Sequence, residues 1–223
     1  MENDSIVKVF HDFCEDSTAL VNQYAVQSQH VFDTQIAHRL LCQKAQGDDY
    51  KTNNAGLNEL LALYLGVEND RKNLVRQKMK QDFFYWECRP LTQEMVEYAA
   101  QDVCYLKALF SEQLKHCNEH LYTEILSEGA KYNIYSSVNL HIGSVESLNN
   151  GTLVRAFIKN FQKIGVFCAL NLGYSGLVRH AESKAYIEAY YQIGDFMDLE
   201  VVDVNHKTCT VLLKMPDYPF VFP

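Results

Sequence analysis

The chain has 223 residues, of which 48% are hydrophobic and 22% charged; this composition is that of a folded globular protein and excludes a disordered chain. Residues 1–150 contain 13 basic and 21 acidic side chains, which accounts for the net charge of −8, whereas residues 151–223 contain seven of each. An acidic chain lacks the many cations on which non-specific nucleic-acid binding depends, so binding of that kind would need local basic patches.

No apolar run reaches membrane-spanning length, and Met1 is followed by "ENDSIVKVF" rather than by a basic and then apolar leader. The seven cysteines are scattered and include no C-x-x-C pair, which favours reduced thiols over a disulfide framework. These features predict a soluble cytoplasmic or nuclear protein with no membrane partner.

The N-terminal part alternates short strand patterns with helical ones. The predicted elements are a strand over 5–11, a helix over 16–26, a strand over 30–34 that leads into a helix through Leu41, and helices over 56–65, 69–80 and from Thr92 to about Leu126. Thr92 follows Pro90 and is the predicted N-cap of the last helix. Short strands separated by helices are typical of an α/β layer with parallel strand pairing.

The sequence changes character near residue 130. Residues 129–150 are predicted to form a polar linker that ends in an Asn-Asn-Gly turn. Over 151–216, runs rich in Val, Leu, Phe and Thr are separated by glycines, a pattern of short strands that indicates a small barrel or sandwich. We therefore expect two domains, an α/β domain over 1–128 and an all-β domain over 151–216.

A carboxylate lies on the apolar face of the helix that begins after Thr92. At helical spacing, Tyr98 and Asp102 share this face with Met95, Ala99, Leu106 and Leu109. A second carboxylate, Asp16, opens the helix after the first strand. Acidic residues at such positions, with a tyrosine one turn from one of them, suit metal-assisted phosphodiester hydrolysis. The pattern Y-x-x-x-D alone is weak, and the alternative is that Asp102 accepts hydrogen bonds from a buried Lys or Tyr.

Three stretches in order, "VKVFHDFCEDSTALVNQYAVQSQHVFDTQIAHRLL", "GLNELLALYLGV" and "RPLTQEMVEYAAQDVCYL", resemble the 3′–5′ exonuclease domain of the DEDDy class over roughly residues 6–115. Within that class they resemble the branch of exonuclease 3′–5′ domain-containing protein one and Egalitarian. The resemblance implies a ribonuclease H-like α/β fold, with Asp16 as the second-motif aspartate and Tyr98 and Asp102 as the third-motif tyrosine and aspartate. Asp33 matches a recurrent family position outside the metal-binding set.

The family's first motif, D-x-E on the opening strand, has no counterpart here, because Glu2 and Asp4 stand before the wrong strand and in reversed order. The resemblance thus implies an N-terminally truncated fold with two of four metal carboxylates, Asp16 and Asp102, which would bind Mg²⁺ or Mn²⁺ weakly. We expect no cofactor and no efficient hydrolysis in the chain as it stands. If the missing carboxylates completed the site, we expect Mg or Mn as the cofactor. We also expect the open sheet edge to stay exposed or to pair with a second subunit (a homodimer) or a partner strand.

The segment "RKNLVRQKMK" contains five cations. Lys72, Arg76 and Lys80 form an i, i+4, i+8 stripe, a spacing suited to following a phosphate backbone. A merely solvated helix face explains the same stripe equally well. The stripe is therefore a candidate RNA-binding surface.

The stretch from Asn149 to Met215 resembles the S1 RNA-binding domain, a five-stranded OB-type barrel, in its opening glycine, its "GVF" and "GLVR" segments and its "GD" pair. In such barrels aromatic side chains stack on bases and nearby cations hold phosphates. The resemblance implies that RNA is bound by Phe167, Arg179, His180 and Lys207. Ile164 stands where a second aromatic residue is usual. The alternative is that Phe167 is ordinary barrel core and that the domain docks protein.

Three hypotheses follow from the sequence. The leading one is a protein that binds single-stranded RNA, built from a truncated DEDDy exonuclease-like domain and an S1-like barrel, with little catalysis. The second is a 3′–5′ exoribonuclease represented by an N-terminally incomplete sequence, in which Asp16, Tyr98 and Asp102 are the surviving active-site residues. The third is a protein-docking scaffold.

Overall fold

The computed structural model describes residues 1–47, 54–67, 72–82 and 84–216. The first part of the chain, here called the N-terminal unit, consists of β1 (Lys8–Phe10), α1 (Cys14–Tyr24), β2 (Val31–Asp33), α2 (Thr34–Gln46), α3 (Leu57–Leu65), α4 (Lys72–Gln81), α5 (Gln93–Cys104), α6 (Leu106–Leu114) and α7 (Glu119–Tyr135). The second part, the barrel, consists of β3 (Leu153–Gln162), β4 (Gly165–Ala169), β5 (Ser175–Val178), α8 (Ala181–Tyr190), β6 (Phe196–Asn205) and β7 (Thr210–Lys214). In these described ranges, no helix is both long enough and apolar enough to cross a bilayer.

The two strands of the N-terminal unit pair in parallel, as the alternation of strands and helices predicts. Lys8 is opposite Val31 and Phe10 is opposite Asp33. All three residues of β2 are buried, because α2 and α7 pack against this strand, whereas β1 is half-buried. The carboxyl ends of both strands therefore meet at one edge, where the loop into α1 and the start of α2 lie side by side.

The prediction of one helix from Thr92 to about Leu126 is wrong, since the structure has three helices in this region. Thr92 is the N-cap of α5, as predicted, with its side chain accepting a hydrogen bond from the Met95 N–H at 3.3 Å. The helical path ends at Cys104 and restarts at Leu106. It stops again after Leu114, and the Asn118 side chain caps α7. An apolar period of 3.6 persists through the segment, but it does not show where the backbone turns.

Residues 129–135, predicted as the start of a polar linker, instead complete α7. Tyr132 and Tyr135 are buried in the same core as Phe13 and Phe32. Gly129 is required by close packing, because a Cβ there would lie 2.5 Å from the backbone oxygen of Val31. Two tyrosines of the predicted linker are therefore core residues of the N-terminal unit.

The strands β3, β4, β5, β7 and β6 form, in that order, a closed barrel. All neighbouring pairs are antiparallel except β5 and β7, which run in parallel, and the barrel closes because β6 pairs with both β3 and β7. The expectation of an all-β unit needs a correction, because α8 connects β5 to β6. Its segment, "AESKAYIEAY", contains strong helix formers and follows a capping residue, His180.

The barrel packs directly on the N-terminal unit through a shared aromatic core. Phe157 on β3 is buried, and its ring centroid lies 5.7 Å from those of Tyr132 and Tyr135 on α7 and 5.0 Å from that of Phe196 on β6. Ala169 on β4 joins the same cluster. Apolar burial across this junction holds the two units together.

Two asparagines fasten the segment between α7 and β3 to the barrel. The Asn139 side chain donates to the carbonyls of Arg155 and Leu170 and accepts from the Arg155 N–H. The Asn171 side chain donates to two carbonyls just after α7, those of Ser136 and Val138. Both asparagines have positive φ, a region that Asn enters more readily than most residues. The predicted linker is therefore held against the barrel by hydrogen bonds.

Candidate functional site

Four carboxylates gather where β1 and β2 end, and we call them the acidic edge: Asp12, Glu15, Asp16 and Asp33. The parallel pairing creates this arrangement, because β1 leads into the loop with Asp12 and the first turn of α1, while β2 ends at Asp33. Glu15 and Asp16 stand at the N-terminus of α1, where the helix dipole favours negative charge.

Asp33 has a structural role in this edge. Its carboxylate is 0% exposed and accepts hydrogen bonds from the backbone N–H groups of Phe13 and Gln35 at 2.8 Å and of Asp12 at 3.2 Å. Asp33 therefore caps α2 and fixes the loop between β1 and α1.

Asp12 is engaged by a residue of the barrel. The Lys159 ammonium on β3 forms an ion pair with the Asp12 carboxylate and is also attracted by Asp33. Sequence reasoning missed Lys159, and no local pattern could have revealed it, because the two partners are 147 positions apart. The barrel thus reaches the acidic edge directly.

Asp16, the predicted second-motif residue, lies in the first turn of α1 and is exposed to solvent. Partial desolvation and the negative charges of Asp12, Asp33 and Glu15 raise the pKa of its carboxyl group. Asp16 is therefore crowded by carboxylates, the environment that a cation would relieve.

Tyr98 and Asp102 lie one turn apart on α5, and both are half-buried. The Tyr98 ring packs at 5.9 Å from that of Trp86. The predicted apolar face is only partly buried: Met95 is in the interior, whereas Ala99 is exposed, and Leu106 and Leu109 belong to α6. The turn between α5 and α6 separates Met95 from Leu106 and Leu109, which a continuous helix would have placed on one face. Helix α5 packs chiefly on α4 and α6, while α1 packs chiefly on α7.

The residues of the acidic edge do not fit a pair of divalent ions. Asp33 already accepts from several backbone N–H groups, and Asp12 is paired with an ammonium. Across the described part of the chain, no three His, Cys, Asp or Glu side chains are grouped so that they could hold a metal ion. Glu15 accepts a hydrogen bond from the Tyr135 hydroxyl, whereas a magnesium site needs several oxygen ligands in near-octahedral geometry.

The barrel residues predicted to contact RNA differ in how far they are exposed. Phe167 points out of the barrel, because its neighbours Val166 and Cys168 point into the barrel core and successive side chains alternate. The reading of Phe167 as barrel core is therefore wrong. Arg179 is exposed, and so is Lys207 in the turn between β6 and β7. Ile164, in the turn before β4, is also exposed.

His180 has a structural task that the sequence did not show. Its Nδ1 atom lies 3.0 Å from the Ser183 hydroxyl and accepts a hydrogen bond from the Ser183 N–H as the cap of α8. One ring nitrogen is therefore committed to the fold, and the capping contact fixes how the ring is oriented.

The cationic stripe lies on α4, and the helix itself is present as predicted. The side chains of Lys72, Arg76 and Lys80 lie outside the part of the chain that the structure describes. Lys78 on the same helix forms an ion pair with Glu94 and so links α4 to α5.

A family model described as 3′–5′ exonuclease matches residues 1–116. Exosome complex component 10 of Rattus norvegicus is 32% identical over 106 residues, 48% of this chain and 10% of that protein. Ribonuclease D of Nitrobacter hamburgensis is 31% identical over 111 residues, 50% of this chain and 25% of that protein. The chain thus spans a tenth of the first relative and a quarter of the second.

The structure of Trypanosoma brucei RNase D with GMP has a TM-score of 0.52 and 23% identity, covering 60% of this chain and 41% of that one. The complex of the same nuclease with RNA U12 has a TM-score of 0.50 and 24% identity, covering 60% of this chain and 44% of that one. At this level of identity the likeness is one of fold, the ribonuclease H-like fold.

Proposed function

The chain belongs to the 3′–5′ exonuclease family, and on this premise we propose that it binds single-stranded RNA without cutting it efficiently. In this proposal the N-terminal unit is an exonuclease-like domain over 1–128, and residues 151–216 are an S1-like barrel of the OB type. Asp16, Tyr98 and Asp102 are then the remnant of a catalytic set that guides the strand.

The proposal rests on one observation: carboxylates of the acidic edge are already occupied by contacts within the chain. Asp33 is used as a helix cap and Asp12 is paired with Lys159, so two carboxylates of the edge are already committed to the fold. Two-metal hydrolysis requires ions that clamp both the attacking and the leaving oxygen. An edge whose carboxylates are committed to the fold is poorly suited to cleavage, while its surroundings remain able to hold a strand.

The barrel supports the binding half of the proposal. It has five strands, closes fully, and presents Phe167 outward, with Arg179 just after the neighbouring strand β5. An outward aromatic ring beside exposed cations is how OB-type barrels stack bases and hold phosphates. We therefore place the first RNA contact at Phe167, Arg179 and Lys207, with the stripe of Lys72, Arg76 and Lys80 as a second one.

Fluorescence anisotropy with labelled single-stranded RNA at low salt tests binding. We expect Phe167→Ala to weaken binding about tenfold, since stacking contributes about 1–3 kcal/mol per base. Phe84→Ala is the matched control, because Phe84 is an exposed phenylalanine outside the barrel. Absence of binding at low salt, or binding that neither Phe167→Ala nor Lys72→Ala alters, would favour the protein-docking scaffold.

Incubation of 5′-labelled RNA with the protein and Mn²⁺ tests the absence of cleavage. We expect the RNA to remain full length over a time in which an active exonuclease shortens it. Robust shortening that Asp102→Asn abolishes would overturn this part of the proposal.

The second candidate is a 3′–5′ exoribonuclease whose first-motif carboxylates come from a segment outside the given sequence. It is favoured by the placement of Tyr98 and Asp102 one turn apart and still partly accessible on α5. Mg or Mn would then be its cofactor, with the ions held by Asp16, Asp102 and the added carboxylates. A coding sequence upstream of Met1 that contains a strand with D-x-E would support this candidate.

We further propose that the sheet edge at β1 accepts a partner strand, either from a second copy of the chain or from another protein. The sheet has two strands in the described ranges, and nearby apolar side chains are exposed, including Ile6. Open edges of this kind invite pairing. Light scattering coupled to size-exclusion chromatography tests the homodimer, and a monomeric mass at every concentration would contradict it.

A further inference from the structure

Lys159 brings a largely buried positive charge from the barrel to the acidic edge. Its side chain is 23% exposed and forms an ion pair with Asp12. The charge of Asp33 acts on it as well. Its backbone carbonyl accepts a hydrogen bond of 2.9 Å from the Asn54 side chain, which fastens this point of β3 to the N-terminal unit.

A β-bulge in β3 explains how the Lys159 side chain reaches Asp12. Ile158 pairs with Cys168 and Asn160 pairs with Phe167, so Lys159 is an extra residue in the strand register. Bulged residues leave the ladder and re-aim their side chains. Phe157, two positions earlier, is anchored in the shared aromatic core, so the bulge has a fixed position relative to the acidic edge.

The charge balance of the edge shows what the ammonium does. Asp12, Asp33 and Glu15 act on Asp16 as like charges at the end of the two strands. Like charges at short range need a counter-charge, which in metal-binding carboxylate clusters is a divalent ion. Here the counter-charge that reaches Asp12 and Asp33 is an amino group of the same chain.

We infer that Lys159 is the resident cation of the acidic edge: its ammonium gives Asp12 and Asp33 their compensating charge, and it fixes the barrel to the N-terminal unit. Lys159 is in this sense a positioning residue. The inference goes beyond the proposed function, because it concerns the charge balance of the edge whether or not RNA binds there.

The test replaces Lys159 by Met, which keeps much of the length and removes the charge. Without divalent ions we expect the melting temperature of Lys159→Met to fall by at least about 3 °C relative to the unmodified chain. We expect Mn²⁺ to restore it, whereas NaCl at matched ionic strength does not. In a titration followed by water-proton relaxation, Mn²⁺ should bind Lys159→Met about tenfold more tightly than the unmodified chain, because a positive charge a few ångströms from the carboxylates is gone.

Three further variants separate this role from simple loss of packing. Lys163→Met removes an exposed lysine of the same hairpin and should change neither the melting temperature nor Mn²⁺ binding. Lys159→Arg keeps the charge and should keep the unmodified response. Asp12→Asn combined with Lys159→Met should be more stable than Lys159→Met alone and should lose the rescue by Mn²⁺.

The inference is overturned if Lys159→Met melts like the unmodified chain, or if Mn²⁺ stabilises both proteins equally. Should Lys159→Met not fold, the double variant decides, since an acidic edge in need of a counter-charge predicts that Asp12→Asn restores folding. No arm of this experiment contains RNA. A failure of RNA binding and a failure of this inference are therefore distinguishable.

Discussion

Phe157 offers the sharpest test of how the two units are joined. Its side chain is 4% exposed and packs between two tyrosines of α7 and Phe196 of β6. Removing a fully packed phenylalanine ring costs about 3–5 kcal/mol, because burial is lost and a cavity remains. With about 4 kcal/mol lost and a urea m-value of about 2.5 kcal/mol/M, the unfolding midpoint of Phe157→Ala should fall by about 1.5 M.

The measurement is urea unfolding followed in parallel by far-UV circular dichroism and by the fluorescence of Trp86, the single tryptophan, in the N-terminal unit. We expect the two curves to coincide for the unmodified chain and to separate for Phe157→Ala, since the barrel and the N-terminal unit then unfold apart. Phe167→Ala is the matched control, with an expected cost of about 1 kcal/mol, because that ring points outward and is only half-buried. A loss below about 1 kcal/mol in Phe157→Ala would show that the units share no packed core.

Three other predictions concern single polar groups. Asp33→Ala should cost about 2–4 kcal/mol in urea unfolding, because several backbone N–H groups lose their acceptor; a cost below about 1 kcal/mol would contradict the capping role. Tyr135→Phe should cost about 1–3 kcal/mol, because the hydroxyl donates to Glu15 and accepts from the Asn171 N–H, while Tyr24→Phe, at an exposed site, should be neutral. Asp16→Asn should stabilise the protein at neutral pH, because a raised carboxyl pKa means that ionised Asp16 opposes folding. That gain should fade as the pH falls to the ordinary value of 3.8 and below; a gain that is the same at every pH would rule out the charge effect.

The sequence predicted the elements that depend on local chemistry. The strand and helix patterns through α4, the parallel pairing and the Thr92 cap agree with the structure, because capping side chains and apolar periods act within a few residues. The helix prediction after Thr92 went wrong where periodicity continues across a turn. Residues 129–135 were assigned to a polar connector, although they complete α7 and bury Tyr132 and Tyr135.

The candidate site was predicted in its members but not in its surroundings. Asp16, Tyr98 and Asp102 were placed by resemblance to a family, and the structure shows that Tyr98 and Asp102 lie on α5, which packs chiefly on α4 and α6. His180 was expected to contact RNA, and its capping contact with Ser183 is formed only once β5 turns into α8. Such roles depend on the path of the chain in space, which short sequence patterns do not specify.

By itself the sequence determined which segments form β1, α1, β2, α2, α3 and α4 in the described ranges, where the carboxylates stand along the chain, and that a strand-rich unit follows. The tertiary structure alone decided that α7 continues into the barrel junction, that Phe157 belongs to the core of the N-terminal unit, and that Lys159 neutralises Asp12. The physical reason is that packing and charge pairing act between groups that are close in space, whatever their separation along the chain. Lys159 and Asp12 are 147 positions apart, and only folding brings a barrel lysine to the end of the first strand.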